Sequence, residues 1–170
     1  MISQVIVGGD RKPEIVDDVD MQLLNELAED ARKNSVDIGR KLDLTPKTII
    51  NRIRNLQQRK IIRKFKPLLN LRDVGYYSTL LTIKYHNISS ELEDELIDYL
   101  KIHPHVVGVV KTLGEWDLEI EIEANNEREL RKIEMKIRQE FALLIQQIEG
   151  IPLYQAYKKN FFPRFLIEDK

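Results

Sequence analysis

The chain has 170 residues, 42% of them apolar, and 27 Lys and Arg stand against 28 Asp and Glu, a net charge of -1. Cysteine is absent, which excludes disulfides and thiolate metal sites. No segment approaches the roughly 18 apolar residues of a spanning helix, and the N-terminus lacks a basic patch followed by an apolar run, so a cytoplasmic protein without leader or membrane contact is expected.

The charge is unevenly spread. Residues 31–72 hold 13 basic residues against only Asp37 and Asp43, whereas residues 73–170 hold 12 basic against 18 acidic. A basic block beside an acidic one is the footprint of a nucleic-acid module joined to a module of another kind.

Residues 1–14 read as an N-terminal arm, with a short strand over Ser3 to Val7 ended by Gly8-Gly9-Asp10. Asp17 or Asp18 caps a helix to about Asp30, with Leu23, Leu24, Leu27 and Ala31 inward. Ser35 caps a short second helix whose inward residues, Ile38 and Leu42, lie four apart. Asp43-Leu44 makes the turn. Thr45 is the N-cap of a third helix, and Pro46 takes the first helical position, where its missing N–H costs nothing. At helical spacing Ile49, Ile53 and Leu56 share one stripe. The opposite face carries Lys47, Asn51, Arg54, Asn55 and Gln58, with Thr48, Arg52 and Arg59 on one flank and Ile50 on the other.

Two helices joined by a tight turn, the second with an outward face of Lys, Arg, Asn and Gln, suit entry into a DNA major groove. The same pattern also fits an ordinary amphipathic helix with a solvated face. On the DNA reading, amides pair with adenine edges, Arg with guanine, and Lys with phosphate. The expected DNA-binding set is Thr45, Lys47, Thr48, Asn51, Arg52, Arg54, Asn55, Arg59, Arg63 and Lys64. Asn51 and Arg54 face base edges, while Lys47, Arg52, Arg59, Arg63 and Lys64 hold phosphates. Ile61 to Lys66 alternates apolar and basic residues and reads as a wing-like strand. This closes a winged helix-turn-helix over 15–66. Residues 67–75 are the hinge.

The second half changes period. Tyr76–His86 reads as a strand. Ser89 or Ser90 caps a helix to about His103, with Leu92, Leu96 and Leu100 inward, and Pro104 ends it. Val106–Leu113 is nearly all apolar and is expected to be a central strand. Trp116–Ala124 alternates, with Leu118, Ile120 and Ile122 inward and Glu119, Glu121 and Glu123 outward. Asn125 or Asn126 caps a helix to about Phe141, with Leu130, Ile133, Ile137 and Phe141 inward. A long last strand runs from Leu144 to Phe161, broken near Gly150 to Pro152. The order is β-α-β-β-α-β, the ferredoxin-like motif, over 76–162, followed by a tail, 163–170. The fold class is therefore α+β. One sheet face is covered by helices, and a second copy of the chain is the simplest cover for the other.

These residues resemble the Lrp/AsnC family, also called feast/famine regulators. The first helix matches through Asp17, Asp20, Leu23, Leu24, Leu27, Asp30, Ala31 and Arg32. The helix-turn-helix matches through Ile38, Leu42, Leu44, Thr45, Thr48, Ile49, Arg52, Ile53, Leu56 and Ile62, and the second domain through Pro104, Val106, Gly114, Trp116, Asp117 and Leu118. The resemblance covers roughly residues 15–160. It implies a transcriptional regulator that binds pseudo-palindromic double-stranded DNA, forms homodimers that often build tetramers or octamers, and often responds to a free amino acid. It implies no catalytic residue, no cofactor and no metal. The effector region it implies is Leu113, Gly114, Glu115, Trp116 and Asp117, where Gly lets the backbone approach a ligand and Asp holds an α-amino group. A tight turn whose Asp117 caps its own backbone fits the same residues.

The chain departs from the family pattern in two places. Lys60 stands where Gly is usual after the recognition helix, implying a strained residue or a differently closed helix. Gly39 replaces a small Ala, which weakens the helix by about 1 kcal/mol unless it allows closer packing.

Other constellations read structurally. His103-Pro104-His105 is a helix end with surface histidines rather than a metal site. Glu91, Glu93, Asp94 and Glu95 form a solvated helix start. Phe161-Phe162-Pro163 and Phe165 pack onto their own domain or onto another subunit. Two other functions share the scaffold. One is an architectural DNA binder without effector control. The other is a siroheme decarboxylase, whose His- and Tyr-rich stretch is here the bare Val106 to Thr112.

Overall fold

A computed structural model of the chain describes residues 13–86, 89–155, 157 and 161–168. The strand expected over Ser3 to Val7 lies outside the described residues. The chain divides into two compact units, with the division between Pro67 and Leu68.

The first unit is built on three helices, α1 (Asp18–Glu29), α2 (Ser35–Leu42) and α3 (Pro46–Gln58). Each has a side-chain cap at its start. Asp17 accepts from Asp20 N–H, Asn34 from Val36 and Asp37 N–H, and Thr45 from Thr48 N–H. Asn34, not Ser35, therefore caps α2. Both residues are good caps, and the carbonyl oxygen of Asn34 reaches two orphan N–H groups at once. Leu23, Leu27, Ile38, Ile49 and Leu56 form the core, with Leu24, Leu42, Leu44, Ile53, Ile61 and Ile62 packed around it. Ala31 is exposed, because α1 stops at Glu29 and Asp30 turns the chain.

The residues after α3 form no strand. Lys60 takes a left-handed φ of 60°. Lys60 N–H bonds Gln57 O at 3.0 Å and Ile61 N–H bonds Leu56 O at 2.9 Å, the bond pattern that closes a helix through a left-handed residue. Ile61 and Ile62 are thereby turned into the core. The expected wing over Ile61 to Lys66 fails for a physical reason. A strand needs a paired neighbour, and the described residues of this unit contain none. A left-handed conformation costs a side-chain-bearing residue about 1–2 kcal/mol. Lys60→Gly is therefore expected to raise unfolding free energy by about 1 kcal/mol. Denaturant unfolding at unchanged m-value measures it, and a loss of stability would mean that the Lys60 side chain makes a compensating contact.

A short α6 (Phe165–Glu168) belongs to this first unit, as does the chain from Tyr157. Arg164 reaches Glu29 at 3.1 Å and Phe162 is buried. The second unit thus ends before the 162 expected from sequence, and 163–168 is not a free tail.

The second unit carries a four-stranded antiparallel sheet in the order β2-β3-β1-β4, from β1 (Tyr77–Tyr85), β2 (Val106–Lys111), β3 (Leu118–Ala124) and β4 (Ile145–Pro152). Helices α4 (Ser90–Ile102), capped by Ser89, and α5 (Glu127–Glu140), capped by Asn126, complete the βαββαβ order. A single-turn 3-10 helix, Leu71–Val74, precedes β1. The core joins Leu81, Ile83, Leu118, Ile120 and Ile122 of the sheet to Leu96, Leu100, Ile133 and Ile137 of the helices. The alternation expected in β3 is observed, with its apolar residues fully buried.

Two expectations for the sheet are corrected. β2 is an edge strand, and Val107 and Val110 are each 56% exposed. A short apolar run reports which faces are dry, not how many neighbours the strand has. β4 stops at Pro152 rather than running to Phe161. Its partner β1 begins at Tyr77, and after the Leu153 N–H to Ser78 O bond little strand is left to pair. Glu93, expected in solvent, is buried and held by Lys111 at 2.7 Å.

Candidate nucleic-acid interface

Helix α3 presents one continuous polar face. Lys47, Asn51, Arg54, Asn55, Gln57 and Gln58 are exposed, while Ile49 and Leu56 are buried on the other side and Ile53 partly so. The cap fixes where this face starts. Thr45 Oγ1 accepts from Thr48 N–H at 3.2 Å and sits 2.9 Å from Thr48 Oγ1. Asp43 turns the chain between α2 and α3 with φ 54°, a left-handed conformation that Asp tolerates better than most residues. The Leu44 N–H to Gly39 O bond, at 2.8 Å, holds the two helices close.

The expected DNA-binding residues separate into two groups. Lys47, Asn51, Arg54 and Asn55 point outward together. Thr45 and Lys64 are exposed, and Arg63 is half-buried beyond the end of the helix. Arg52 and Arg59 instead turn toward the protein's own acids. Arg52 Nη1 lies 2.8 Å from Asp17 Oδ2 and 2.7 Å from Asp20 Oδ1. Arg59 holds Glu14 at 3.1 Å and also reaches Ile15 O and Asn55 Oδ1. Together with Thr48, Asn51 and Asn55, the residues Asp17, Asp20, Arg52 and Arg59 line one open cleft. The hydrogen bond from Arg52 and that from Asp20 N–H hold the Asp17 carboxyl below the usual carboxylate range. Burial alone would raise Glu26, but hydrogen bonds from Lys33 and Lys41 outweigh it and lower the group. The sequence gave one signal for the acid partners, two Asp three apart on one helix face. Nothing local tied them to an Arg 32 residues away.

In the second unit, Leu113 to Asp117 forms the open turn between β2 and β3. Leu113 is fully exposed and Gly114 and Glu115 are exposed. A Cβ added at Gly114 would meet nothing within 4 Å. Trp116 is half-buried and lies before β3 rather than in it. Lys84 Nζ donates to Glu115 O at 2.7 Å, and Thr112 Oγ1 to Trp116 O at 2.6 Å. Asp117 does not cap its own turn. Its Oδ2 accepts from Tyr85 N–H at 2.8 Å, where the β1–β4 register shifts between Lys84 and Tyr85. The phenol of Tyr85 is pushed up by burial, then by Glu93 and Asp117. At the α4 end, His105 Nδ1 is bound to Glu123 O at 2.8 Å. The His103 imidazole is pushed down by burial, then by His105 and Lys136.

Among the described residues no helix is long and apolar enough to cross a membrane. The AsnC-type helix-turn-helix domain matches residues 16–57, the span of α1 to α3. The chain is 34% identical over 122 residues to PH1916 of Pyrococcus horikoshii, an uncharacterized HTH-type transcriptional regulator, covering 71% of this chain and 81% of that one. It is 26% identical over 137 residues to the HTH-type transcriptional regulator FL11 of Pyrococcus furiosus, covering 81% of this chain and 84% of that one. Its fold matches the transcriptional regulator NMB0573 of Neisseria meningitidis, solved with L-Met, at TM-score 0.78 and 16% identity over 88% of this chain and 97% of that one. These relatives are regulators, not enzymes, and the decarboxylase alternative falls with them. The chain belongs to the Lrp/AsnC family of helix-turn-helix transcriptional regulators, and DNA is its partner.

Proposed function

We propose that the chain is a sequence-specific, homodimeric regulator that reads its operator with Asn51 and Arg54 and responds to a free amino acid. The observation that carries the DNA reading is the outward face of α3, where both residues are exposed between Lys47 and Asn55. An amide and a guanidinium on one face offer donors and acceptors for adenine and guanine edges. The dimer covers the open side of the sheet. By strand register, Leu80, Val110 and Ile151 share that side, and Val110 and Ile151 are 56% and 42% exposed. Two half-sites one helical turn apart are the DNA counterpart of a twofold protein.

The effector reading rests on the turn at Gly114, which is open on all sides, and on the L-Met bound to the structurally similar regulator NMB0573. One oxygen of Asp117 is already committed to Tyr85 N–H, so Asp117→Ala would disturb the strand as well as any ligand. Gly114→Val is the cleaner variant, because its added carbon meets no atom of this chain.

The test has two arms. Selection from a random duplex pool is expected to return one pseudo-palindromic site, with Asn51→Ala losing about 1–3 kcal/mol of discrimination at one base pair. Equal recovery of all sequences would establish an architectural binder instead. A thermal-shift screen of the twenty amino acids is expected to give a hit worth about 2.7 kcal/mol at 100 times its dissociation constant. That hit should be lost in Gly114→Val. A flat screen at millimolar concentrations removes the amino-acid arm and leaves the first intact.

A further inference from the structure

We propose that Arg52 is a positioning residue, not a phosphate contact, and that with Asp17 and Asp20 it locks the recognition helix α3 in rotation against α1. The proposal rests on the reading of α3 as the base-reading element.

The geometry divides every atom of the lock between two tasks. Asp17 Oδ1 accepts from Asp20 N–H at 2.7 Å and starts α1, while Asp17 Oδ2 accepts from Arg52 at 2.8 Å. Asp20 Oδ1 accepts from the same guanidinium nitrogen at 2.7 Å. The start of α1 and the middle of α3 are thus tied through one nitrogen. The Asp20 side chain is only 9% exposed and the Arg52 side chain 29%. A carboxylate that deep needs its counter-charge, and removing one partner of a buried pair leaves the other uncompensated. Arg52 is therefore not available to DNA. Two carboxylates around one guanidinium also leave the cluster net negative, which repels a phosphate rather than binding it.

Asn51 precedes Arg52, and Asn55 lies three residues on, on the same side of the helix. A helix with side chains is about 10–12 Å across, so a side-chain tip lies about 6 Å from the axis and a roll of about 10° moves it by about 1 Å. Base-edge hydrogen bonds tolerate far less than that. Phosphate contacts on flexible Lys and Arg side chains tolerate it well. The lock should therefore govern discrimination between sequences and leave the electrostatic part of binding alone.

The experiment uses the full chain, a duplex carrying the selected site and a scrambled duplex, each titrated between 50 and 200 mM salt. Arg52→Gln, Asp20→Asn, Asp17→Asn and their double variants are compared with Lys47→Ala as the phosphate-contact control. The sign at Asp20 decides. Removing a negative charge beside DNA should tighten binding if Arg52 were a phosphate contact, because it frees the guanidinium. The lock requires the opposite: Asp20→Asn and Arg52→Gln each weaken the selected site on the order of tenfold, leave the scrambled duplex nearly unchanged, and keep the wild-type salt slope. The double variant should lose no more than either single, since both break one device. Lys47→Ala should lower the slope by about 0.9 on both duplexes. Tighter binding by Asp20→Asn, or a slope loss of about 0.9 in Arg52→Gln, overturns the proposal. Asp17→Asn keeps a good helix cap and the buried half of the lock, so it folds under milder strain. Should Arg52→Gln not melt cooperatively, the sign of Asp17→Asn settles the matter in the same way. A wild-type chain that binds both duplexes alike removes the reading beneath the lock, and the lock with it, before any variant is compared.

Discussion

Between 50 and 200 mM salt, affinity for the operator duplex is expected to fall by about 10³-fold. The number follows from a count of cations the structure leaves facing outward. Lys47 and Arg54 are exposed on α3, and Arg63 is half-exposed after it. In each of two protomers these give six phosphate contacts, and each releases close to one counterion, so the slope of log affinity against log salt is about -5. Had Arg52 and Arg59 been free, as their positions in the sequence suggest, ten contacts would steepen the fall to about 10⁵-fold. Their pairing with Asp17, Asp20 and Glu14 takes them out of the count. Fluorescence anisotropy at four salt concentrations separates the two slopes. A salt-independent affinity would sink the phosphate contacts altogether, and a slope near -9 would show that DNA displaces the internal acids from both arginines.

That pairing marks the limit of what the sequence discloses. Helix α3 was legible because its determinants are local: Thr45 caps, Pro46 opens, and Ile49 and Leu56 repeat at helical spacing. Strand β3 was legible because Glu alternates with Leu and Ile across one wet and one dry face. The edge position of β2 was not, because the composition of a strand does not name its neighbours. The wing was not, because alternation licenses a strand but only pairing makes one. Instead Lys60 closed α3 and sent Ile61 and Ile62 inward. Arg52 and Arg59 looked like ligands for DNA because their partners lie 32 to 45 residues away. The role of Asp117 was hidden for the same reason. Its carboxylate serves Tyr85 N–H on the neighbouring strand, 32 residues off in sequence.

Gly39→Ala is expected to destabilise the first unit by about 1–3 kcal/mol, although Ala is the better helix former. Gly39 lies inside α2, where a Gly costs about 1 kcal/mol relative to Ala on propensity alone. An added Cβ would sit 2.5 Å from Leu44 O, closer than any real contact of this kind, and the clashing atom is backbone. It cannot swing aside as a side-chain tip would. Leu44 N–H is itself bonded to Gly39 O at 2.8 Å, so moving the Leu44 peptide also strains the bond that closes the turn. Overpacking therefore outweighs the propensity gain. The same peptide leads directly into the Thr45 cap, so any relaxation shifts the start of α3 and with it the residues that face the bases. Two measurements are expected to move together: the melting temperature falls by several degrees, and discrimination between the selected and scrambled duplexes narrows. A more stable Gly39→Ala chain with discrimination intact would show that the turn yields freely, and that the approach of α2 to α3 does not set the register of the reading face.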